Sequence, residues 1–435
     1  MLNTRNENND NRMDKIVSLC KRRGFVYPGS EIYGGLANSW DFGPPGVELK
    51  NNIKQLWWKF FVQSRENIVG LESTIIMNNK VWEASGHLQE FNDMLAECQS
   101  CRQRFRVDDL DNLKECPECR GPLLKPRQFH TMFKTNLGPI EGNEVYLRPE
   151  TAQGMFVDFK QLQNSSRQKI PFGVAQIGKA FRNEITPGNF IFRLREFEQM
   201  EIEYFVREKD WQEGFDYWLL EMKKWLQMIG VKDINLHFHE ISPEERAHYS
   251  KKTIDIEYAY PFGTKELYGL AYRTDYDLWR HQEKSGRELT SFDEVTQGKF
   301  IPHIIEPTFG VERTMLVLLL EAYEEEKDRV VLRLKPKLAP YKAAVFPLLA
   351  NKPPLVEAAR KIYNDLRQDF MVAWDERGNI GKRYFSQDEI GTPFCITVDF
   401  DSLEKNDVTV RDRDTMKQER IKIEVLKEYL REKLE

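Results

Sequence analysis

Polar and apolar side chains alternate along the stretch 197–206. Because successive side chains of a β-strand point to opposite faces, the two sets lie on different sides of one strand. One side carries Phe197, Gln199, Glu201 and Glu203, and the other carries Met200, Ile202, Tyr204 and Val206. Upstream, Arg182 and Glu184 share a face by the same rule. The segment 185–192, between these residues and the stretch 197–206, contains Pro-Gly-Asn, a turn signal. The pattern predicts a hairpin whose apolar side packs on a core and whose polar side lines a cleft. An ordinary solvated hairpin is the alternative.

Periodic apolar positions predict further elements along the chain. Helices are predicted over 13–23, 46–63, 81–95, 211–228 and 310–323, and strands over 71–77, 144–147, 254–258, 266–271 and 300–305. Beyond residue 340, strands over 343–349, 370–374 and 394–399 alternate with helices over 355–368, 387–389 and 421–434. This alternation predicts a small α/β domain with a largely parallel sheet.

The same pattern divides the chain into parts. With 435 residues it has room for about two to three domains, each with its own core. We predict an α/β protein with a tail over 1–12, a core domain over 13–333 with an insert at 96–122, a linker over 334–340 and a final domain over 341–435. The tail is polar and asparagine-rich with no apolar segment behind it, which predicts a flexible tail rather than a secretory signal. The linker holds two prolines and two lysines.

Composition narrows the class of protein. Hydrophobic residues make up 40% and charged residues 31%, which indicates a folded globular chain. No apolar run is long enough to span a bilayer, so we expect no membrane association. The net charge of −5 means that nucleic-acid binding would depend on local basic patches at 21–23, 102–106 and 377–383, each of which could equally be solvated surface. Cysteines in CxxC pairs favour a reducing compartment, and hence the cytoplasm.

Four of the six cysteines form two CxxC pairs, Cys98 with Cys101 and Cys116 with Cys119. Two such pairs can place four thiolates around one tetrahedral Zn²⁺. Gly121 lies two residues past the last cysteine, where the turn of a zinc knuckle commonly needs glycine. We predict a structural Zn²⁺, because four thiolates leave no open position for chemistry. Reduced, unligated thiols are the alternative.

A second group of functional candidates lies at a predicted strand-to-helix junction. Glu306, Gly310 and Arg313 stand there, where backbone N–H groups and a guanidinium can bind an anion. A capped core helix with a surface arginine is the alternative. Arg148 and Glu150 occupy a further strand-end loop, which alone indicates little.

Together these motifs resemble class II aminoacyl-tRNA synthetases. Arg182-x-Glu184, followed by Arg193, Phe197 and Glu201, resembles their motif 2, and Gly310-Val-Glu-Arg313 resembles motif 3. The segments 46–63 and 71–77 resemble motif 1, the dimerisation element. More narrowly, five stretches resemble the homodimeric type of glycyl-tRNA synthetase: 24–30, 31–36, 82–87, 148–154 and 192–201. The chain from about 338 is similar to the anticodon-binding domain of the glycyl, threonyl, prolyl and histidyl enzymes. The resemblance covers nearly the whole chain after the tail.

The resemblance implies a fold and a reaction. The fold would be the class II antiparallel sheet flanked by helices, with a zinc-ribbon insert and a C-terminal α/β anticodon-binding domain. The reaction would activate glycine with ATP to glycyl-adenylate and transfer glycine to the 3′ end of tRNA(Gly), releasing AMP and pyrophosphate. ATP as substrate, Mg²⁺, a structural Zn²⁺, tRNA(Gly) and a homodimer are therefore expected.

The resemblance also implies roles for individual residues. Arg182 would hold the α-phosphate of ATP, and Arg193 and Arg313 its outer phosphates, so that Arg182 and Arg313 would be catalytic. Glu184 would read the adenine amino group, and Phe197 would stack on the ring. The implied ATP-binding set is Arg182, Asn183, Glu184, Phe192, Arg193, Leu194, Arg195, Glu196, Phe197, Glu266, Leu267, Gly310, Val311, Glu312 and Arg313, with Glu266 beside Mg²⁺. The implied glycine-binding set is Arg106, Glu150, Phe197, Glu198, Gln199, Met200, Glu201, Glu306, Pro307, Thr308, Phe309 and Gly310.

Two departures and two alternatives accompany the resemblance. Motif 1 usually ends in a proline, where this chain has Asn78 and Asn79, and Thr308 stands where serine is common. A synthetase-like binding protein without catalysis is one alternative, and the three phosphate-binding arginines argue against it. Activation of serine, threonine or proline is the other, and the three carboxylates Glu150, Glu201 and Glu306 favour glycine instead.

Overall fold

The computed structural model describes residues 3–139, 142–294 and 296–434. In chain order its helices are α1 Asn3–Arg23, α2 Pro44–Trp58, α3 Asn79–Ala84, α4 His87–Glu90, α5 Ala152–Val157, α6 Phe159–Ser166, α7 Trp211–Ile229, α8 Tyr276–Ser285, α9 Val311–Ala322, α10 Pro353–Leu366, α11 Ile380–Ile390, α12 Phe400–Lys405 and α13 Leu426–Leu434. Its strands are β1 Val26–Pro28, β2 Trp40–Phe42, β3 Ile68–Gly70, β4 Asn92–Glu97, β5 Arg104–Arg106, β6 Arg127–His130, β7 Lys134–Asn136, β8 Glu144–Tyr146, β9 Phe172–Phe181, β10 Glu196–Val206, β11 Leu236–Glu240, β12 Lys252–Tyr260, β13 Gly263–Thr274, β14 Ser291–Asp293, β15 Gly298–Phe300, β16 His303–Gly310, β17 Tyr323–Glu325, β18 Val330–Leu332, β19 Ala343–Pro347, β20 Val372–Trp374, β21 Phe394–Val398, β22 Asp407–Asp412 and β23 Gln418–Lys422.

A seven-stranded sheet in the order β11-β12-β13-β16-β10-β9-β3 forms the centre of the larger part of the chain. Its neighbouring strands are antiparallel, except that β3 runs parallel to β9. Residues of α2, α7 and α9 cover one face and contribute to the largest apolar cluster. Residues of α5, α6 and α8 pack on the other face in a second cluster. The antiparallel sheet flanked by helices, predicted from the resemblance, is confirmed.

The alternation predicted for 197–206 is confirmed in β10. This strand pairs with β9 on one side and β16 on the other. Its even-numbered side chains from Met200 to Val206 are buried in the largest apolar cluster. On the other face, Phe205 joins the second apolar cluster, whereas Glu201 and Glu203 are buried although they are acidic. A central strand is covered on both faces, so burial of its polar side requires a specific network.

Two predicted helix boundaries are also confirmed, and a glycine marks each of them. Gly310 is the N-cap of α9, with extended backbone and its chain entering the helix at Val311. Gly230 ends α7 with a φ of 95°, and its N–H bonds the carbonyls of the last turn.

The segment from 68 to 97 differs from the prediction. The strand is Ile68–Gly70 rather than 71–77, and Asn78 instead caps α3 by accepting a hydrogen bond from the N–H of Lys80. The helix predicted over 81–95 is wrong in its second half, because Gly86 at φ 85° separates two short helices and the chain from Asn92 forms β4. The asparagines at the end of motif 1 therefore begin a helix and do not extend a strand.

The N-terminal helix begins earlier than predicted. Helix α1 starts at Asn3 rather than at Met13, so the segment predicted as a flexible tail is helical from Asn3 onwards. Met1 and Leu2 lie outside the described residues. Within the described part of the chain, no helix is both long and apolar enough to cross a membrane.

The C-terminal part forms a five-stranded sheet in the order β20-β19-β21-β22-β23. The pairs of β19 with β20 and β21 are parallel, and the pairs of β22 are antiparallel. The prediction of a largely parallel sheet is therefore right only for its first half. Strands β22 and β23 were missed because charged residues interrupt any apolar run there.

The segment predicted as a linker is packed against the core. Leu338 and Ala339 are buried, and their carbonyl oxygens accept hydrogen bonds of 3.2 and 3.0 Å from Nδ2 of Asn52 on α2. This anchoring distinguishes it from a free tether.

Candidate functional site

Two adjoining cavities open beside β10, β13 and β16. The outer cavity, of about 140 Å³, is lined by Arg182, Glu184, Ile191, Phe192, Arg193, Leu194, Phe197, Gln199, Glu266, Leu267, Thr308, Phe309, Gly310, Glu312 and Arg313. The inner cavity, of about 280 Å³, is lined by Glu150, Arg182, Gln199, Glu201, Ile241, Glu245, Arg246, Ala247, Tyr249, Thr253, Asp255, Glu266, Gly269, Leu270, Ala271, Glu306 and Thr308. Because Arg182, Gln199, Glu266 and Thr308 line both, the cavities form one cleft.

Arg313 projects into the outer cavity from the first turn of α9. Its guanidinium carbon lies 4.6 Å from the ring centroid of Phe192, and Nη1 lies 3.1 Å from the Glu266 carboxylate. Although burial opposes it, the Glu266 charge raises the pKa of Arg313 above its ordinary value. In turn, the charge of Arg313 is the main cause of a lowered pKa at Glu266. The pair holds both groups ionised at the cavity wall.

Arg182 stands where the end of β9 enters the loop. Its Nε donates a 3.0 Å hydrogen bond to the carbonyl of Pro149, and its guanidinium lies 5.4 Å from the ring centroid of Phe197. Arg193, from the same hairpin, also lines the outer cavity. Three guanidinium groups around one cavity suit a phosphate-rich anion, because arginine matches phosphate geometry and stays charged.

Glu201 lies in the wall of the inner cavity and is bound by two hydroxyl groups. Thr151 Oγ1 donates to one of its carboxylate oxygens at 2.5 Å, and Thr308 Oγ1 donates to the other at 3.0 Å. Burial is the main cause of a raised pKa at Glu201, and the charge of Glu150 adds to it.

Glu150 is held by a hydrogen-bond network that reaches into α8. Gln153 Nε2 donates to Glu150 at 3.0 Å and to Asp277 at 3.1 Å, and His87 Nε2 lies 3.2 Å from the other Glu150 oxygen. Burial alone would raise the pKa of Glu150, but His87, Arg273 and Gln153 outweigh it and hold that pKa well below its ordinary value. Glu150 is therefore an ionised carboxylate beside the inner cavity.

Arg273 is the buried cation at the centre of this network. Its guanidinium donates to Asp277 at 2.8 and 3.0 Å and to Glu306 at 2.7 Å, and it stacks 3.7 Å from the ring centroid of Tyr249. Burial raises the pKa of Glu306 to about 8, although Arg273 opposes that rise. Sequence reasoning missed Arg273. The available signal was an arginine directly after the apolar run 267–272, a position that on a central strand must be buried.

Carboxylates outnumber cations around the inner cavity. Among the described residues, Glu150, Glu201, Glu306 and Asp277 surround Arg273, with His87 on one side. An excess of buried negative charge is costly unless a cation compensates it. The inner cavity thus suits a small cationic group, whereas the outer cavity suits an anion.

Some residues of the implied glycine set point away from the cleft. Glu198 and Met200 lie on the opposite face of β10, where Glu198 pairs with Lys50 at 2.7 Å and Lys54 at 3.0 Å and Met200 is buried in the core. Strand alternation forces this placement, because odd-numbered side chains face the cleft. We therefore no longer expect these two side chains to contact glycine.

Other implied residues lie beside the cleft but do not line it. Asn183, Arg195 and Glu196 line a neighbouring cavity, next to Asn38 and Trp40. Pro307 and Val311 are buried. Arg106 lies on β5 of the insert, where it pairs with Asp93 at 3.0 Å and Asp108 at 3.2 Å. Arg106 is not among the residues that line the outer or the inner cavity.

The four cysteine thiols converge at one point of the insert. Their sulfur atoms lie within 4.8 Å of one another, with 3.5 Å between Cys98 and Cys119 and 3.6 Å between Cys101 and Cys116. Four sulfurs at about 2.3 Å from one Zn²⁺ would lie about 3.8 Å apart, close to these distances. The Cys101 N–H is the main cause that lowers the pKa of Cys98, to about 6.

The larger part of the chain and the C-terminal part each match a known protein family. Residues 133–323 match the family described as "tRNA synthetase class II core domain (G, H, P, S and T)". Residues 342–433 match the family described as "Anticodon binding domain". The first match covers β9, β10, β13 and β16, the strands that line the cleft.

Curated relatives match over almost the full length. A glycine–tRNA ligase of Caldanaerobacter subterraneus subsp. tengcongensis is 54% identical over 97% of this chain and 98% of its own. One from Thermobifida fusca is 52% identical over 97% and 98% of the two chains, and one from Geobacillus kaustophilus is 51% identical over 97% and 99%.

Proposed function

The chain belongs to the glycine–tRNA ligase family with a class II synthetase core, and on this premise we propose that its cleft activates glycine with ATP and transfers it to tRNA(Gly). The observation that carries the proposal is the pairing of an arginine-lined outer cavity with a carboxylate-lined inner cavity that share Arg182. ATP brings a triphosphate and glycine brings an ammonium group. The cleft offers complementary charge to each, with their reacting atoms meeting near Arg182.

The outer cavity would hold ATP in a bent conformation. Arg193 and Arg313 are proposed to bind the outer phosphates, with Phe197 stacking on the purine and Glu184 reading the adenine amino group. Attack of the glycine carboxylate on the α-phosphorus builds negative charge on the phosphoryl oxygens. Arg182 is positioned to stabilise that charge. Catalysis by positioning and electrostatics needs no covalent intermediate with the protein.

The inner cavity would hold glycine by its ammonium group. Glu150, Glu201 and Glu306 supply the compensating charge, and Thr308 keeps Glu201 oriented through its 3.0 Å hydrogen bond. A side chain on the substrate α-carbon would have to fit among these buried groups. Rejection of larger amino acids is then steric, which is the easier direction of discrimination.

Mg²⁺ is proposed to bind beside Glu266. Glu266 and Asp255 both line the inner cavity, and carboxylate oxygens are the ligands that Mg²⁺ prefers. Burial is the main cause that raises the pKa of Asp255 to about 7, and the charges of Glu266 and Glu257 add to it. A cation at this point would relieve that repulsion. When bound, Mg²⁺ would neutralise phosphate charge.

Zn²⁺ is proposed to occupy the four-cysteine site with a structural role. It would order the insert formed by β4, β5 and β6, which includes Arg106. Metal analysis of the folded protein should give about one zinc per chain, not counting loosely bound metal. Far less than one zinc in a folded preparation would refute this assignment.

The partner tRNA is proposed to bind with its anticodon at the C-terminal domain. The match of residues 342–433 to an anticodon-binding domain supports this. We propose that the catalytic domain spans 13–333 and the anticodon-binding domain spans 341–435. The cytoplasmic location stays a prediction.

A homodimer is proposed to form through the loop between β1 and β2. Ile32, Tyr33 and Leu36 are large apolar residues with exposures of 88%, 88% and 63% in this loop. Such a patch marks an interaction surface. We propose that a second copy of this chain covers it, next to α2 of motif 1. Analytical ultracentrifugation tests this, and a monomer at micromolar concentration would contradict it.

ATP–pyrophosphate exchange with each amino acid in turn tests the function. We expect exchange with glycine and charging of tRNA(Gly) with glycine. Exchange with alanine or serine but not glycine would overturn the specificity, and no exchange with any amino acid would favour a non-catalytic binding protein.

The role of Arg182 has its own test. Arg182→Ala should reduce exchange by about 10²- to 10³-fold, the usual effect of removing one transition-state charge partner. Circular dichroism should show an unchanged fold, because Arg182 makes few structural contacts. Arg195→Ala is the matched control on the same hairpin, since Arg195 lines the neighbouring cavity instead.

A further inference from the structure

Glu203 is a buried acid that the proposed mechanism does not use. It lies on the same face of β10 as Glu201 but does not line the inner cavity. Its side chain is 0% exposed, and neither carboxylate oxygen has a hydrogen-bond partner among the described residues. Oxygen atoms of Glu201, Glu203 and Glu306 lie within 4.8 Å of one another. Glu203 is therefore adjacent to two of the carboxylates proposed to bind glycine, Glu201 and Glu306.

The charged groups around Glu203 come from four elements. Glu201 belongs to β10, Glu306 to β16, Arg273 to β13 and Asp277 to α8. Arg273 is already engaged with Asp277 and Glu306. Burial, followed by the charge of Glu306, raises the pKa of Glu203 well above its ordinary value. This shift favours the protonated form of Glu203, which has one O–H donor.

This arrangement works against folding stability. A buried polar group without a partner costs free energy, and an apolar side chain of similar size would avoid that cost. Groups that are unfavourable for the fold and lie next to a binding site are candidates for a functional role.

We propose that Glu203 is a positioning residue of the glycine site: when the substrate ammonium group is bound and Glu306 is ionised, the O–H of Glu203 donates to the Glu306 carboxylate and orients it towards that group. This inference rests on the proposed function. One oxygen of Glu306 already accepts from Arg273 at 2.7 Å, and a second donor would fix the carboxylate plane. An O–H···O⁻ bond needs about 2.6 Å, so the oxygens of Glu203 and Glu306, which lie within 4.8 Å of each other, must move closer to form it. An ionised Glu203 would instead repel Glu306.

Two substitutions separate this role from a merely structural one. Glu203→Gln keeps shape and an N–H donor, so its KM for glycine should stay within about threefold of wild type. Glu203→Leu keeps the approximate volume and removes the donor, so its KM for glycine should rise about ten- to hundredfold. In both variants the KM for ATP should be unchanged, and the Leu variant should melt at the same or a higher temperature.

ATP–pyrophosphate exchange at varied glycine and ATP concentrations gives the two KM values, and thermal melting gives the stability of each variant. A wild-type KM for glycine in the Glu203→Leu variant would overturn the inference, as would equal impairment of both variants or a parallel rise in the KM for ATP. If Glu203→Leu does not fold, Glu203→Met carries the same expectation with a more flexible chain. Failure of wild type to exchange with glycine would instead contradict the proposed function.

Discussion

Two buried ionic clusters of this protein differ in their balance of charge. In the core domain, Arg273 lies among the carboxylates of Glu150, Glu201, Glu306 and Asp277. Near the C-terminal domain, the buried arginines Arg329, Arg411 and Arg413 each have a carboxylate partner, drawn from Glu326, Asp388 and Asp414. The first cluster has more acids than bases, whereas the second is neutral.

The second cluster joins parts of the chain. Asp388 of α11, with 0% exposure, accepts hydrogen bonds of 2.8 Å from Arg329 and of 2.8 and 2.9 Å from Arg411. Arg413 binds Asp414 at 2.8 Å and the carbonyl of Leu334 at 2.8 Å. These contacts connect the segment after α9 with the C-terminal sheet.

The difference separates a structural cluster from a binding cluster. A neutral, fully paired network needs no ligand and holds elements together. A network with more carboxyl groups than cations has raised pKa values at Glu201 and Glu306 and can ionise fully when a cation arrives, which suits a site for an ammonium group.

The largest effect is expected from Asp388→Asn. Loss of this carboxylate leaves buried Arg411 without its counter-charge and Arg329 with Glu326 alone, which should lower the free energy of unfolding by about 3–5 kcal/mol. Urea denaturation measures it. The KM for glycine should stay unchanged where the variant is still folded, and a selective rise in that KM would mean that the two clusters are not separate.

Glu201→Gln should impair glycine binding without lowering stability, the opposite of what is expected for Asp388→Asn. Removing one charge partner of the ammonium group should raise the KM for glycine by about 100-fold, equivalent to about 2.7 kcal/mol, with ATP binding unchanged. The free energy of unfolding should not fall, because Glu201 carries a raised pKa from burial in the free protein. Exchange kinetics and urea denaturation together decide this, and a loss of stability like that of the Asp388 variant would contradict it.

The pH dependence of stability should follow Glu306. Its pKa is about 8 in the folded protein and about 4.3 in an unfolded chain. The folded state therefore binds more protons, and this contribution to stability is lost as pH rises through that window. His281, whose pKa burial lowers to about 4, acts in the opposite direction, but its effect is complete above about pH 6.5.

The test window is therefore pH 6.5–8 without glycine. Wild type should lose about 1.6 kcal/mol more stability across it than Glu306→Gln does, because the variant cannot release that proton. Equal slopes for the two proteins in urea denaturation would argue against an uncharged Glu306 in the empty site.

The smallest effect is expected for an exposed pair. Lys405 and Asp401 lie 2.9 Å apart on α12, with side-chain exposures of 57% and 61%. Solvent screens such a pair, so Asp401→Asn should change neither the denaturation midpoint nor the kinetics. A marked destabilisation would mean that burial is not the reason for the large effect expected at Asp388.

Local patterns account for the part of the site that the sequence predicted. The alternation in β10 was enough to place Glu201 on the cleft side, because a strand has a fixed period of two. The two CxxC pairs and the start of α9 at Gly310 are equally local signals. They depend on residues close together in the chain.

Long-range register accounts for what was missed. Arg273 meets Glu306 only because β13 lies beside β16, and Glu203 meets Glu306 because β16 lies beside β10. No spacing within one segment reveals these neighbours. The strand at 68–70 was misplaced for a related reason, since its pairing with β9 and not its own pattern determines its limits.

The central claim is that the unbalanced acidic cluster recognises an ammonium group. Glycolate tests it most directly, because it replaces that group with a hydroxyl and keeps the carboxylate that attacks ATP. ATP–pyrophosphate exchange should be at least about 10³-fold less efficient with glycolate than with glycine, since a site built around a polar group rejects an analogue that lacks it. Exchange with glycolate at an efficiency similar to that with glycine would contradict the account.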